Sequence, residues 1–144
     1  MVEIASITSF RYNRDNGPLT SWETAVSQGV NCQWVVHEFY KEQFGLELPK
    51  DLLSMELFQD SKIFVTMDPR EEQLRMGDIL IVSRTKRAKP EKFHLAVCID
   101  SQRIIHATSF DQKVSIWSTS ELFEMYPVIW AVKRIKPEVL EYEQ

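Results

Sequence analysis

Cys32, His94 and His106 are the residues of this sequence whose types and positions could carry nucleophilic chemistry. A cysteine attacks as its thiolate, and a free thiol is mostly protonated at neutral pH. Cys32 directly follows Asn31, a good N-cap residue, which places it in the first turn of a helix. The unpaired N–H groups and the positive dipole end of that turn favour an anion and should lower the thiol pKa. We therefore predict that Cys32 is a nucleophile, whereas Cys98, inside an apolar run, is a core residue.

The histidines differ in where the sequence places them. His37 is on the same helix as Cys32 but about 140° around its axis, so we expect it at the surface, pointing elsewhere. His94 and His106 lie on two consecutive predicted strands. A helix-start cysteine followed by strand histidines is the layout of a Cys–His pair with an orienting third group. His94 would then be the general base, and His106 would bind its other ring nitrogen and fix the tautomer.

This pairing depends on the register of the two strands. With a three-residue turn between them, His106 opposes Ala96 and shares a face with its diagonal neighbour His94, at about 7–8 Å between backbones. A two-residue turn at residues 101–102 puts His106 on the other face, unless a bulge restores parity. Ser–Gln is not a dipeptide typical of two-residue hairpins. From the residues alone, both registers remain open.

Helical and strand patterns surround these positions. Apolar spacing and turn residues predict helices over residues 21–28, 31–45 and 49–58, strands over 77–84, 93–100, 103–110, 113–118 and 128–135, and a helix over 118–126 capped by Thr119 or Ser120. Helices first and a strand meander afterwards predict an α+β fold, with N-terminal helices packed on an antiparallel sheet of about five strands. A length of 144 residues suits a single domain over residues 1–144.

The composition excludes several classes of protein. The chain is 44% hydrophobic and 26% charged, as in ordinary soluble globular domains. Its formal net charge of −4 argues against a nucleic-acid partner, which would require a basic surface. No run of 18 apolar residues is present, so we expect no membrane span. Short-spaced pairs of zinc ligands are missing, so no metal and no cofactor are predicted.

The location of the protein is an expectation from the N-terminal residues. The first residues show no basic segment followed by an apolar one, so a secretory signal is not predicted and a cytoplasmic location is expected. Two cysteines without a CxxC pair agree with a reducing compartment. Export by a non-standard route and association with a phage are the alternatives.

Five short segments follow one another in a familiar order. They are "NCQWVVHEFY" (31–40), "FGLELP" (44–49), "MGDIL" (76–80), "HLAV" (94–97) and "RIIHA" (103–107). They resemble the patterns D-C-S-G-F-V-x-x-x-[FY], fG-x-x-LP, pGD-[LI]-[VL], H-[VL]-[GA]-[IV] and x-I-I-H-A of the NlpC-type cysteine peptidases. This family is the bacterial cell-wall endopeptidase branch of the papain-like fold. The resemblance runs from about residue 29 to residue 108.

The resemblance implies a reaction. Cys32 would attack an amide carbonyl, His94 would pass the proton to the leaving amine, and His106 would orient His94. An acyl-enzyme would form and water would release it. The implied substrate is a peptidoglycan-derived, muropeptide-like peptide with a γ-D-glutamyl linkage to a diamino acid.

The resemblance also suggests residues for binding the substrate and the oxyanion. The Cys32 backbone N–H would be one oxyanion donor. The candidates for the second donor or for substrate contact are Tyr12, Gln33 and Trp34. Tyr12 is the only tyrosine upstream of Cys32, and Gln33 and Trp34 directly follow the expected nucleophile. Asn31 replaces the usual Asp, and Gln33–Trp34 replace a small Ser–Gly pair. These replacements favour a substrate different from ordinary stem peptides.

Two other functions fit the same residues. One is an acyltransferase or deamidase that acts on a protein or a small amine. The other is a catalytically silent binding domain that kept the fold, in which case Cys32 should titrate as a free thiol near pH 8.5. The sequence does not predict the oligomeric state.

Overall fold

Helices at the N-terminal side and a sheet at the C-terminal side make up this computed structural model, which describes residues 4–143, with side chains described for residues 6–140. The elements are α1 (Trp22–Gln28), α2 (Cys32–Phe44), α3 (Ser54–Gln59), β1 (Phe64–Met67), β2 (Ile79–Ser83), β3 (His94–Cys98), β4 (Arg103–Thr108), β5 (Lys113–Ser118), α4 (Thr119–Met125), β6 (Val128–Ile135) and α5 (Pro137–Glu143), with 3-10 turns at Ile4–Ile7 and Pro90–Lys92.

The strands form one antiparallel sheet in the order β1-β6-β2-β3-β4-β5. One face carries the larger core, in which Val35 and Phe39 of α2 belong to the same cluster as Leu95 and Val97 of β3. The other face packs against α4 and forms a second, smaller core. Because both faces are covered, β2 is buried along its whole length. The predicted α+β class is confirmed, with six strands where about five were expected.

Helix α2 is positioned by caps that its sequence contains. The side chain of Asn31 accepts a hydrogen bond from the Trp34 N–H at 3.0 Å, which satisfies one of the free donors of the first turn. Gly45 ends the helix with φ of 64°, a left-handed conformation that glycine adopts without steric cost. Cys32 is therefore the first residue of α2, as predicted.

The register between β3 and β4 is the one that a three-residue turn produces. Val97 pairs with Ile105 and Cys98 with Ile104, so position 96 corresponds to position 106. The carboxylate of Asp100 accepts hydrogen bonds from the backbone N–H groups of residues 102 and 103, both at 2.9 Å, and fixes the turn. His94 and His106 consequently share one face of the sheet. The alternative register is excluded.

Several predicted boundaries were wrong. The helix expected over residues 49–58 begins only at Ser54, because Pro49 starts a turn in which the Leu52 N–H bonds back to its carbonyl. Helix α4 is capped by Ser118 rather than Thr119 or Ser120, and Ser118 with Glu121 forms a capping box. The Ser-x-x-Glu spacing at residues 118–121 was the signal for that cap.

Two elements were missed in the sequence. Strand β1 pairs with β6 at the edge of the sheet, but of its four residues only Phe64 is buried, so no apolar alternation marks it. Helix α5, for which no element was predicted, begins with Pro137. Proline is favoured at that position because its missing N–H has no helical partner to lose.

A buried ion pair joins the start of β2 to β6. Asp78 accepts two hydrogen bonds from the Arg134 guanidinium, at 2.9 and 2.8 Å, and a third from the Arg75 N–H at 2.9 Å. Its side chain is 2% exposed and that of Arg134 is 13% exposed. Of the helices in the described residues, none has the length and apolar character needed to cross a bilayer.

We expect Asp78→Ala to lower the free energy of unfolding by about 3–5 kcal/mol, because it leaves the Arg134 charge buried without its carboxylate. Urea denaturation monitored by circular dichroism measures this. The matched control is Glu72→Ala: Glu72 contacts the same guanidinium at 3.4 Å but is 48% exposed, so its loss should cost less than about 1 kcal/mol. Equal effects of the two substitutions would contradict the assignment.

Candidate active site

Cys32 opens into a cleft of about 610 Å³ at the start of β3. The cleft is lined by residues from the N-terminal loop, α2, α3 and the sheet, namely Tyr12, Arg14, Asp15, Asn31, Cys32, Gln33, Ser54, Arg84, Glu91, Lys92, Phe93, His94, Ser109 and Tyr126. Helix α2, which begins with Cys32, packs on one face of the sheet, whereas Tyr126 belongs to the core of the other face. The two layers meet where β3 begins, so the thiol and the His94 imidazole share this cleft.

His94 and His106 are joined directly. Nε2 of His94 lies 2.7 Å from Nδ1 of His106, and their ring planes meet at 68°. This contact occupies one nitrogen of His94 and leaves Nδ1 for exchange of a proton. If Nδ1 is to accept a proton, the neutral His94 ring must carry its own hydrogen on Nε2 and donate it to Nδ1 of His106. The tautomer of His94 is therefore assigned from its hydrogen bond. No described residue hydrogen-bonds His106 Nε2.

An aromatic group not anticipated from the sequence surrounds this pair. The ring of Tyr126 stacks on His94, with centroids 4.2 Å apart and planes at 6°. Trp117 meets His106 edge to face at 4.3 Å. Tyr126 is the residue that ends α4, 32 positions after His94 in the chain, and no local pattern predicts a contact of that kind.

The thiol and the imidazole are both held in their neutral forms. Burial raises the pKa of Cys32 to about 11, although the backbone N–H groups of Leu95, Cys32 and Gln33 act to lower it. Burial, with a smaller contribution from His106, lowers the pKa of His94 well below its usual value. The expectation that the helix start lowers the thiol pKa is therefore wrong for the net effect. The terminal N–H groups act in the expected direction, but loss of hydration outweighs them.

Two of the three candidate residues for oxyanion or substrate contact line the cleft. Tyr12 lines the cleft together with Cys32, and its pKa is raised by burial and, to a smaller extent, by Cys32. Gln33 directs its side-chain amide to Ser54 Oγ at 3.1 Å, and Ser54 in turn donates to the carbonyl of Phe93 at 2.8 Å. This chain of hydrogen bonds links α2 and α3 to the residue before His94.

Trp34, the third candidate, does not line the cleft. Its indole N–H donates to the Thr20 carbonyl at 3.3 Å, and its ring packs with Phe10 and Trp22. It lines a separate pocket of about 200 Å³ on another side of α2. The structure therefore gives Trp34 a packing role.

His37 is buried, contrary to the prediction of a surface position. It is 5% exposed, and its Nε2 lies 2.8 Å from the carbonyl of Leu52. The segment that precedes α3 folds over this side of α2, and helical geometry alone does not reveal such a cover. His37 does point away from the cleft, as its angle around the helix predicted.

The side-chain amide of Asn31 accepts one hydrogen bond and donates another, whereas a carboxylate at this position could only accept. While its oxygen caps α2, its Nδ2 donates to the Arg14 carbonyl at 3.1 Å. An aspartate can accept the first bond but cannot donate the second. Asn31 thereby holds the loop that carries Arg14 and Asp15 on the rim of the cleft.

The arrangement brings together groups that acyl transfer requires. They are a thiol, an imidazole that shares its cleft and contacts a second imidazole at 2.7 Å, and neighbouring N–H and O–H groups. Among the side chains of residues 6–140, no group of three or more His, Cys, Asp or Glu is placed to hold a metal ion.

The fold is an α+β domain, and the thiol and imidazole in its cleft are the groups that a cysteine hydrolase would use. The chain belongs to the NlpC/P60 family, whose sequence model matches residues 19–133. Members of this family are usually cysteine peptidases, which supports a function of the cysteine peptidase or hydrolase type in general. The predicted papain-like fold and the family resemblance are confirmed.

Solved structures agree with this fold. One, described as similar to lipoprotein and of the NLP/P60 family, from Staphylococcus aureus subsp. aureus Mu50, has a TM-score of 0.63 at 16% identity, with 90% of this chain and 38% of that chain covered. Another, the P60 domain of an antigen of M. avium subspecies paratuberculosis, has a TM-score of 0.59 at 14% identity, with 91% and 88% covered. At these identities the likeness shows the fold alone. This chain thus spans well under half of the staphylococcal one. A search of curated proteins found no match.

We expect the alkylation of Cys32 by iodoacetamide to be slow at pH 7 and to rise with pH to a midpoint near 11, because the reactive thiolate is the form that burial disfavours. The rate is followed by mass spectrometry of the peptide containing Cys32. The measurement uses a Cys98→Ala background, since Cys98 is also a free thiol. A midpoint clearly below about 8.5, the value of a free thiol, would show that the helix terminus outweighs burial.

His106 should make the fold sensitive to acid. Burial lowers its pKa to about 3, against about 6.5 for an unfolded chain, so its stabilising contribution is full above pH 6.5 and is lost as the pH falls toward 3. His106→Asn should remove up to about 1.4 kcal/mol per pH unit from the slope of unfolding free energy between pH 6 and 4. Urea titrations of both proteins, referenced to pH 8, measure the two slopes. Identical slopes would refute a neutral, buried His106.

Proposed function

We propose that this protein is a cysteine hydrolase that cleaves an amide or isopeptide bond through an acyl-enzyme. Cys32 is the nucleophile, His94 the general base and acid, and His106 the residue that orients His94. The observation that carries the proposal is the shared cleft of Cys32 and His94, with Nε2 of His94 held 2.7 Å from His106.

Acylation begins from the neutral pair. As the sulfur attacks the carbonyl carbon, its proton moves to Nδ1 of His94, the C–S bond forms and the carbonyl electron pair moves onto oxygen. The oxyanion then collapses, the C–N bond breaks, and the proton on His94 passes to the leaving nitrogen. The released amine and a thioester on Cys32 are the products of this half-reaction.

Deacylation uses the same groups in reverse. His94 takes a proton from water as the water oxygen attacks the thioester carbon, and the C–S bond breaks as the proton returns to sulfur. The carboxylic acid leaves and the neutral pair is restored. A starting state without a preformed ion pair suits this cycle, because each proton transfer is coupled to bond formation at the reacting carbon.

Donors for the oxyanion are present around the sulfur. The backbone N–H groups of Cys32 and Gln33 already face it, as their effect on its pKa indicates. Tyr12 lines the same cleft, and its phenol is the side-chain donor we propose in addition to these N–H groups. Donors of this kind, fixed before reaction, stabilise the charge that develops on the carbonyl oxygen.

The proposed substrate is a peptidoglycan-derived peptide with a γ-D-glutamyl linkage to a diamino acid. Family membership supports this class. The rim of the cleft presents both signs of charge, with Arg14, Arg84 and Lys92 beside Asp15 and Glu91. Such a rim suits a ligand that carries carboxylates and amines together, as a muropeptide does.

Muropeptides containing this linkage should be hydrolysed by the protein, and Cys32→Ala should lower turnover by about 10⁴- to 10⁶-fold, as removal of a nucleophile does in enzymes that act through a triad. Products are identified by liquid chromatography and mass spectrometry, and circular dichroism confirms that the variant is folded. Cys98→Ala is the matched control, because it removes a thiol outside the cleft and should keep its activity. Undiminished hydrolysis by Cys32→Ala would refute the proposed nucleophile.

A further inference from the structure

Tyr126 is fixed at both ends in a position that covers one face of His94. Its backbone N–H donates to the Leu122 carbonyl at 2.7 Å, at the end of α4, and its phenol lies 2.8 Å from Thr108 Oγ1. The ring is 5% exposed, and the fully buried Leu122 anchors the helix beneath it. The stacked geometry of 4.2 Å and 6° therefore belongs to a rigid group.

We infer that Tyr126 is a positioning residue of the proposed reaction, whose ring sets the plane of the His94 imidazole and stabilises the imidazolium that forms during acylation. The inference rests on the proposed function. Tyr126 is a new residue of the site, which was not among the candidates from the sequence and takes no part in the contact between His94 and His106.

The hydrogen bond to His106 does not fix His94 by itself. Rotation of a histidine ring about its second side-chain torsion is broad, with no steep well that selects one plane. A single contact at Nε2 leaves the ring free to pivot about that contact, which would change the direction in which Nδ1 points within the cleft. A parallel aromatic face removes this freedom, and a misplacement of about 1 Å can cost about 100-fold in rate.

Strand β4 supplies both constraints. His106 holds the edge of the His94 ring, and Thr108, two residues further along the same face, holds the tyrosine that covers its plane. The hydroxyl of Thr108 also accepts the Phe110 N–H at 3.2 Å, which fixes its own orientation. One strand thus sets the direction and the tilt of the imidazole.

The stacked ring also favours the charged form of His94. The face of an aromatic ring carries negative potential, and a cation above it is attracted most strongly where water is excluded. Burial works against a charge on His94, so the tyrosine face offsets part of that cost when the proton arrives. The titratable and charged groups around His94 are His106 on β4, Cys32 on α2, Tyr126 after α4, Tyr12 in the N-terminal loop, and Arg84, Glu91 and Lys92 on the cleft wall.

Three variants test the inference. Tyr126→Leu removes the ring and should lower kcat/KM for muropeptides about 10- to 100-fold, because the imidazole loses its fixed plane. The acidic limb of the pH profile of kcat/KM should also move to lower pH by about half a unit or more, because the imidazolium loses the aromatic face that stabilises it. Tyr126→Phe keeps the stacked ring and loses only the bond to Thr108, so it should recover all but a factor of less than about ten without moving that limb. Thr108→Val loses the same bond and also the acceptor of the Phe110 N–H, so it should lower kcat/KM at least as much as Tyr126→Phe, again without moving that limb.

A second measurement does not depend on hydrolysis. Spectra of ¹⁵N-histidine-labelled protein at pH 7 should show His94 as a single tautomer protonated at Nε2 in the wild type and in Tyr126→Phe, and as a mixture in Tyr126→Leu. Suppose that the wild type hydrolyses muropeptides, but Tyr126→Leu keeps the acidic limb of the wild type and a single His94 tautomer. This result would refute the positioning role of Tyr126 and leave the proposed function intact. A wild type without muropeptide hydrolysis would refute the proposed function, while the spectra would still decide whether Tyr126 orients His94.

Discussion

The hydrogen bond between His94 and His106 is the contact on which the proposed site depends, and it exists because of one turn. Asp100 fixes a three-residue connection between β3 and β4, and that length keeps both imidazoles on the same face. A connection shorter by one residue would turn His106 to the opposite core. The orientation of the proposed base is thus decided by backbone geometry several residues away from the cleft.

Electrostatics in the cleft are governed by the exclusion of water. The start of α2 offers the sulfur several N–H groups, yet the thiol and His94 both remain neutral because neither charge is well solvated. In the proposed reaction the proton moves only when bond formation to the substrate compensates for the charge. The proposed reactivity is then coupled to substrate binding, since a thiol that stays protonated is a weak nucleophile.

The parts of the site that local sequence signals determine could be predicted. Asn31 and Gly45 bound α2 by capping chemistry that operates within a few residues, and the order of Cys32, His94 and His106 follows from strand periodicity and the family patterns. The parts that depend on tertiary contacts could not. His37 is buried by a segment 15 residues away, Tyr126 reaches His94 from the end of another helix, and the thiol pKa is set by packing around it. No pattern within one element contains that information.

The relay from Gln33 through Ser54 to Phe93 has a mechanical consequence. It ties the second residue of the nucleophile helix to the residue just before His94 by way of α3, a helix of only six residues. A displacement of α3 would therefore change the positions of both the Cys32 sulfur and the His94 imidazole. The distance between these two groups depends on α2, α3 and the start of β3 together, and the short helix α3 is the element that connects the other two.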